Sequence, residues 1–83
     1  MTGLDRLNQL KNAYVEALGV SPSSDFESFE YAKTPGWDSV AHMRLVAAIE
    51  AAFEIMLDTD DVIDMSSFRK AREILQKYDV TFD

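Results

Sequence analysis

The sequence predicts an all-α fold, a small four-helix bundle of three main helices and one short one, with a long loop between helices 1 and 2. Apolar residues recur at helical spacing in three separated stretches, and each stretch begins at a residue able to cap it. The one candidate strand is Val80-Thr81-Phe82 at the end of the chain. There are no internal repeats and no low-complexity tract, so residues 1–83 read as a single domain.

The first helix is expected over residues 3–18, where Leu4, Leu7, Leu10, Tyr14, Val15 and Leu18 share a face. Thr2 caps it, Asp5 puts a carboxylate in its first turn, and Gly19 closes it by reaching the left-handed conformation. From Val20 to Asp38 neither period persists, and this stretch is the long loop. A helical turn is expected at Ser21-Pro22. A connection of this length in a small domain needs pins or a function, and Phe26, Phe29, Tyr31 and Trp37 are the candidate pins.

The second helix is expected over residues 39–54, with Leu45, Ala48, Ile49, Ala52 and Phe53 facing the core and Val46 at the margin. Its other side carries a second apolar strip, Val40, Met43 and Ala47, with Arg44 and Ala51 beside it. The core does not account for that strip, which starts at Ser39 and points to a partner. A short third helix falls within Asp58–Asp64, and Ser66 or Ser67 caps a last helix running through Phe68, Ala71, Ile74 and Leu75 to about Tyr78.

Eighty-three residues bury only a thin core, about 60–65 % of the unfolded surface, which disfavours a deep enzymatic cleft. The absence of cysteine excludes disulfides, thiolate metal sites and cysteine nucleophiles. No apolar run approaches the roughly 18 residues of a membrane span, and the N-terminal residues lack the pattern of a secretory signal, so a cytoplasmic protein is expected. A net charge of −7, from 15 acidic and 8 basic side chains, disfavours nucleic acid and favours partners with basic surfaces. The acidic pole is local: Asp58, Asp60, Asp61 and Asp64 precede a basic stretch with Arg69, Lys70, Arg72 and Lys77.

Two constellations invite chemistry. Asp58 and Asp60 match positions one and three of a calcium loop, but Ile63 stands where glycine is needed and Arg69 where a glutamate belongs. A solvated acidic patch is the reading that remains, with no dedicated metal site. Ser39 and His42 sit three apart on one helix and invite a nucleophile–base pair. No orienting acid, oxyanion donors or Gly-x-Ser-x-Gly turn accompany them, so a non-enzymatic role is expected, with His42 a packing or surface residue. Asp38 and Ser39 are both good helix caps. Ser39 is therefore either a cap or a hydroxyl held out for modification.

Asp38-Ser39-Val40, followed by Leu45-Val46, Ile49 and Phe53, resembles the Asp-Ser-Leu signature and second helix of acyl carrier proteins. The resemblance extends over nearly the whole chain. It implies a non-catalytic carrier in which Ser39 accepts 4′-phosphopantetheine from coenzyme A through a phosphopantetheinyl transferase, Asp38 helps present the serine, and acyl groups ride as thioesters on the arm's thiol. The partners implied are acyl-loading, condensing or acyltransferase enzymes of fatty-acid, polyketide or related specialised biosynthesis, served by a monomeric carrier through Val40, Met43, Arg44 and Ala47. Where the family usually lines the second helix with carboxylates, this chain has Arg44, Ala47 and Ala51, leaving Glu50 and Glu54. Gly36-Trp37-Asp38-Ser39 departs from the Gly-Gly-x-Ser of peptidyl carriers, whereas D-alanyl carriers share Asp-Ser. The alternatives are thus a D-alanyl or aminoacyl carrier, or a helical adaptor that is never modified. Leu45, Val46, Ile49, Phe53, Val62, Ile63 and Phe68 are the side chains that could part to shelter an acyl chain, or simply the core.

Overall fold

A computed structural model describes residues 2–82. The described residues form four α-helices and no strand: α1 (Gly3–Leu18), α2 (Ser39–Phe53), α3 (Thr59–Asp64) and α4 (Phe68–Gln76). Their radius of gyration, 11.5 Å, matches the roughly 12 Å of a fully folded chain of this length, so the 19–38 connection lies against the helices instead of trailing from them.

Local chemistry explains the helix ends. Thr2 and Asp5 exchange side-chain-to-backbone hydrogen bonds at 3.2 Å each, a capping box that satisfies two N-terminal groups of α1. Gly19, at φ +71°, closes α1 by donating its N–H to the Val15 carbonyl. Ser67 is the cap of α4, its hydroxyl accepting from Lys70 N–H at 3.0 Å. That helix ends at Gln76, short of Tyr78, whose hydroxyl is drawn toward α3. The candidate strand at residues 80–82 is irregular: Val80 is buried and Phe82 meets Phe53 edge-on.

The core centres on Tyr14 of α1, whose ring meets Phe26, Phe29, Trp37 and Phe68 at centroid distances of 5.2 to 6.4 Å. Burial pushes the Tyr14 hydroxyl far above its ordinary titration range. On α2 the inward residues are Ala41, Leu45, Val46 and Ile49, while Ala48, Ala52 and Phe53 are only half-buried. The inward face is therefore rotated from the expected one, with Val46 in the core and Ala41 added to it. On α1, Leu4 is exposed and Ala13 and Ala17 are buried in its place, because short side chains let α1 and α2 approach closely.

The 19–38 connection is ordered by its own bonds. Ser21–Ser24 forms a hydrogen-bonded turn, and the helical turn expected at Ser21-Pro22 occurs instead as a 3-10 turn at Phe26–Ser28. Phe26, Phe29 and Trp37 are buried, whereas Tyr31 is 38 % exposed, its ring edge-on to Trp37 and His42. An isolated antiparallel bridge joins Glu30 to Ser67, and Tyr31 N–H donates to Ser66 O at 2.8 Å. Gly36 sits at φ +89°, and a Cβ there would stand 2.9 Å from the Leu18 carbonyl oxygen. Only glycine lets the chain turn that closely past the end of α1 and deliver Trp37 to the core.

Candidate functional site

Asp38 is the cap of α2. Its Oδ1 accepts from Ala41 N–H at 2.8 Å, and the first backbone bond of the helix runs from His42 N–H to the Asp38 carbonyl, also 2.8 Å. Ser39 is thereby relieved of capping. It is the first helical residue, exposed, and its hydroxyl has no hydrogen-bond partner among the described residues. The N–H groups of Ser39 and Val40 precede the first intrahelical bond and face outward at the positive end of the helix dipole.

Trp37, two residues before the serine, is 1 % exposed, packing edge-on against Tyr14. Its indole N–H donates to His42 Nδ1 at 3.0 Å, and the other ring nitrogen of His42 meets the Val62 carbonyl of α3 at 2.7 Å. His42 is thus a half-buried bridge between the connection, α2 and α3. Neither of its nitrogens is turned to Ser39.

Beside Ser39 lies a groove of about 360 Å³ lined by Tyr31, His42, Met43, Val62, Ile63 and Met65. Of the side chains that could shelter a cargo, Val62 and Ile63 line this groove, while Leu45, Ile49 and Phe68 are wholly inside the core. The groove's use of Tyr31 and Met65 left no periodic signal in the sequence, because both come from irregular segments. Val40, Met43, Arg44 and Ala47 form a continuous exposed strip running on from Ser39, with Val40 and Met43 each 59 % exposed. Ile63, 71 % exposed across the groove, extends the apolar surface onto α3.

The carboxylates around this surface are more occupied than the sequence suggests. Glu50 is not free for a partner: its Oε2 accepts from Leu57 N–H at 2.9 Å and fixes the turn after α2. Asp61 is not part of a solvated patch. It is 6 % exposed, with Lys77 Nζ and the Tyr78 hydroxyl each donating to it at 2.5 Å. These two donors hold its carboxyl below the usual carboxylate range, and Asp61 in turn raises Lys77 and Tyr78 above theirs. Asp58, Asp60 and Asp64 remain exposed, and no three potential ligands gather into a metal-holding group among the described residues.

No helix of the described residues is long and apolar enough to cross a membrane. Compared with protein-family models, curated proteins and solved structures, the chain finds no match.

Proposed function

We propose that this chain is an acyl carrier protein: it bears acyl intermediates as thioesters on a 4′-phosphopantetheine arm attached to Ser39 and presents them to partner enzymes. The observation that carries the reading is the exposed, unbonded Ser39 hydroxyl at the start of α2, freed by the Asp38 cap and flanked by an exposed apolar strip. A four-helix bundle of one domain, with the 19–38 connection as its long loop, belongs to the same reading.

The residues present fit the arm. A phosphodiester on Ser39 sits where the Ser39 and Val40 N–H groups and the helix dipole favour an anion. The adjoining groove offers apolar walls from Met43, Val62 and Ile63. When attached, the arm supplies the thiol that a chain without cysteine lacks. In attachment one O–P bond forms at Ser39 as the pyrophosphate bond of coenzyme A breaks and 3′,5′-ADP leaves. The transferase takes the hydroxyl proton, because both His42 nitrogens are engaged elsewhere. The carrier contributes a presented hydroxyl, an anion-favouring helix end and a docking strip, and no catalytic group. Its partners are the transferase and acyl-loading, condensing or acyltransferase enzymes, met as a monomer in the cytoplasm.

An unmodified adaptor is the second reading, favoured by the same exposed strip. Mass spectrometry after incubation with coenzyme A and a broad-specificity phosphopantetheinyl transferase separates the two. The expected result is the addition of one phosphopantetheinyl group, lost in Ser39→Ala. An unchanged mass, or a modification that survives in Ser39→Ala, would overturn the carrier reading.

A further inference from the structure

His42 is the chain's one histidine, and its two nitrogens have different jobs. An indole N–H only donates, so Nδ1 accepts from Trp37 at 3.0 Å. A carbonyl only accepts, so Nε2 carries the proton and donates to Val62 at 2.7 Å. Together these bonds specify the neutral, Nε2-protonated tautomer. A proton added at Nδ1 would set it against the Trp37 N–H, donor facing donor, and the ring could not keep its place between Trp37 and Val62.

What hangs on this ring is α3. The helix has six residues, and Val62 lies among its last four, whose carbonyls have no partner within the helix. His42 satisfies one of them. Within α3 itself apolar burial is slight, with Val62 half-buried and Ile63 exposed, while buried Leu57 and Met65 anchor the segments on either side. Its other polar ties, Asp61 to Lys77 and Tyr78 and the Asp58 N–H to the Tyr78 hydroxyl, run to the residues just after α4. The bond to His42 is a polar link between α3 and the Ser39 end of α2.

We propose that His42 is a protonation-sensitive latch: neutral, it joins Trp37, the first turn of α2 and α3 across the groove beside Ser39, and protonation releases it. The groups around the ring leave Nδ1 as the place where charge acts. Tyr31 meets the ring edge-on at 5.2 Å, and the Trp37 ring lies beside it, centroids 6.0 Å apart and planes 21° apart, with its N–H edge toward Nδ1. The Asp38 carboxylate is turned to Ala41 N–H, and on α3 Asp61 is turned to Lys77 and Tyr78. Asp58, Asp60 and Asp64 near α3 and Arg44 on α2 are exposed. The latch goes beyond the carrier reading, since it operates whether or not Ser39 is modified.

The test is nuclear magnetic resonance on the unmodified full chain. At neutral pH, long-range proton–nitrogen spectra should show the Nε2-protonated tautomer. On acidification the Trp37 indole N–H and the Val62 and Ile63 amides should shift with the same midpoint as the ring. Exchange of the α3 amides, corrected for intrinsic pH dependence, should rise about five- to tenfold, the worth of one hydrogen bond. His42→Gln, which keeps a donor and an acceptor, should retain slow exchange but lose the pH response. His42→Phe should exchange fast at every pH. An Nδ1-protonated tautomer, a ring that titrates without moving the Trp37 indole or the α3 amides, or a pH response that survives in His42→Gln would each overturn the latch. The same response is expected in Ser39→Ala, so the outcome is independent of the modification assay.

Discussion

The two ends of this molecule are held together in different ways. Around Tyr14, five aromatic rings drawn from α1, the 19–38 connection and α4 pack together, with two polar contacts at the edge of the cluster: a long 3.5 Å one from the Tyr14 hydroxyl to Ser67 O, and the Trp37 indole N–H to His42, where the two ends meet. Around Ser39 and α3, order depends on a few directional bonds: Asp38 to Ala41, His42 to Trp37 and Val62, Glu50 to Leu57, and Asp61 to Lys77 and Tyr78. Apolar packing spreads its energy over many atoms and is indifferent to pH. A directional bond fails when one proton moves. The aromatic end thus rests on packing, and the Ser39 end on a few directional bonds.

The contrast breaks most visibly at Phe68. It has no exposed surface and contacts both Tyr14 and Phe26, so Phe68→Ala removes packing that a small core cannot refill. The expected loss is about 3–5 kcal/mol. Against the roughly 4–12 kcal/mol typical of 83 residues, that leaves the variant marginally folded. Urea unfolding followed by circular dichroism measures it. A loss under about 1 kcal/mol would mean that the aromatic cluster is not the stabilising centre.

A smaller, pH-dependent effect is expected at Asp61. Its folded-state titration is depressed, so its contribution is present above the ordinary carboxylate range and disappears as pH falls through the lowered value. Lys77 and Tyr78 are raised, so their share is present below their ordinary values and disappears as pH rises through the raised ones. Asp61→Asn should therefore lower the urea midpoint at neutral pH and converge with the parent in strong acid. A difference that stays constant down to strong acid would show that Asp61 acts by shape and not by charge.

The helices were legible because their physics is local. Capping by Thr2 and Asp5, closure by Gly19, the start of α2 after Asp38 and the cap at Ser67 are all set within a few residues. The rotation of α2 that buries Ala41 and Val46 was not legible, since it is set by how α2 packs on the rest of the fold and not by its own spacing. The site was half legible. Ser39 and the strip from Val40 to Ala47 lie on one helical face, and spacing locates them. The partners of His42 are 5 residues before it and 20 after it, and those of Asp61 are 16 and 17 residues away. No period links such positions. The buried Asp61 and the occupied Glu50 follow from the same blindness: charge in a sequence reads as solvated until a distant donor is brought to it.

The least effect on stability, and the sharpest separation of the two ends, is expected on the strip itself. Met43 and Arg44 are exposed, neither side chain holds a helix end, and α2 is capped by Asp38 without them. Met43→Glu and Arg44→Glu should leave the urea midpoint within about 0.5 kcal/mol of the parent. Each places a charge beside Ser39 on a surface whose nearest α2 carboxylate, Glu50, is turned inward to Leu57. Transferase turnover or partner binding should fall because an apolar face that must desolvate now carries a new anion. Helicity and unfolding report the fold, and the transfer rate reports the face. If both variants match the parent in transfer, docking does not use this strip. If they lose helicity instead, the strip belongs to the core, and the division between a packed end and a presenting end fails at α2.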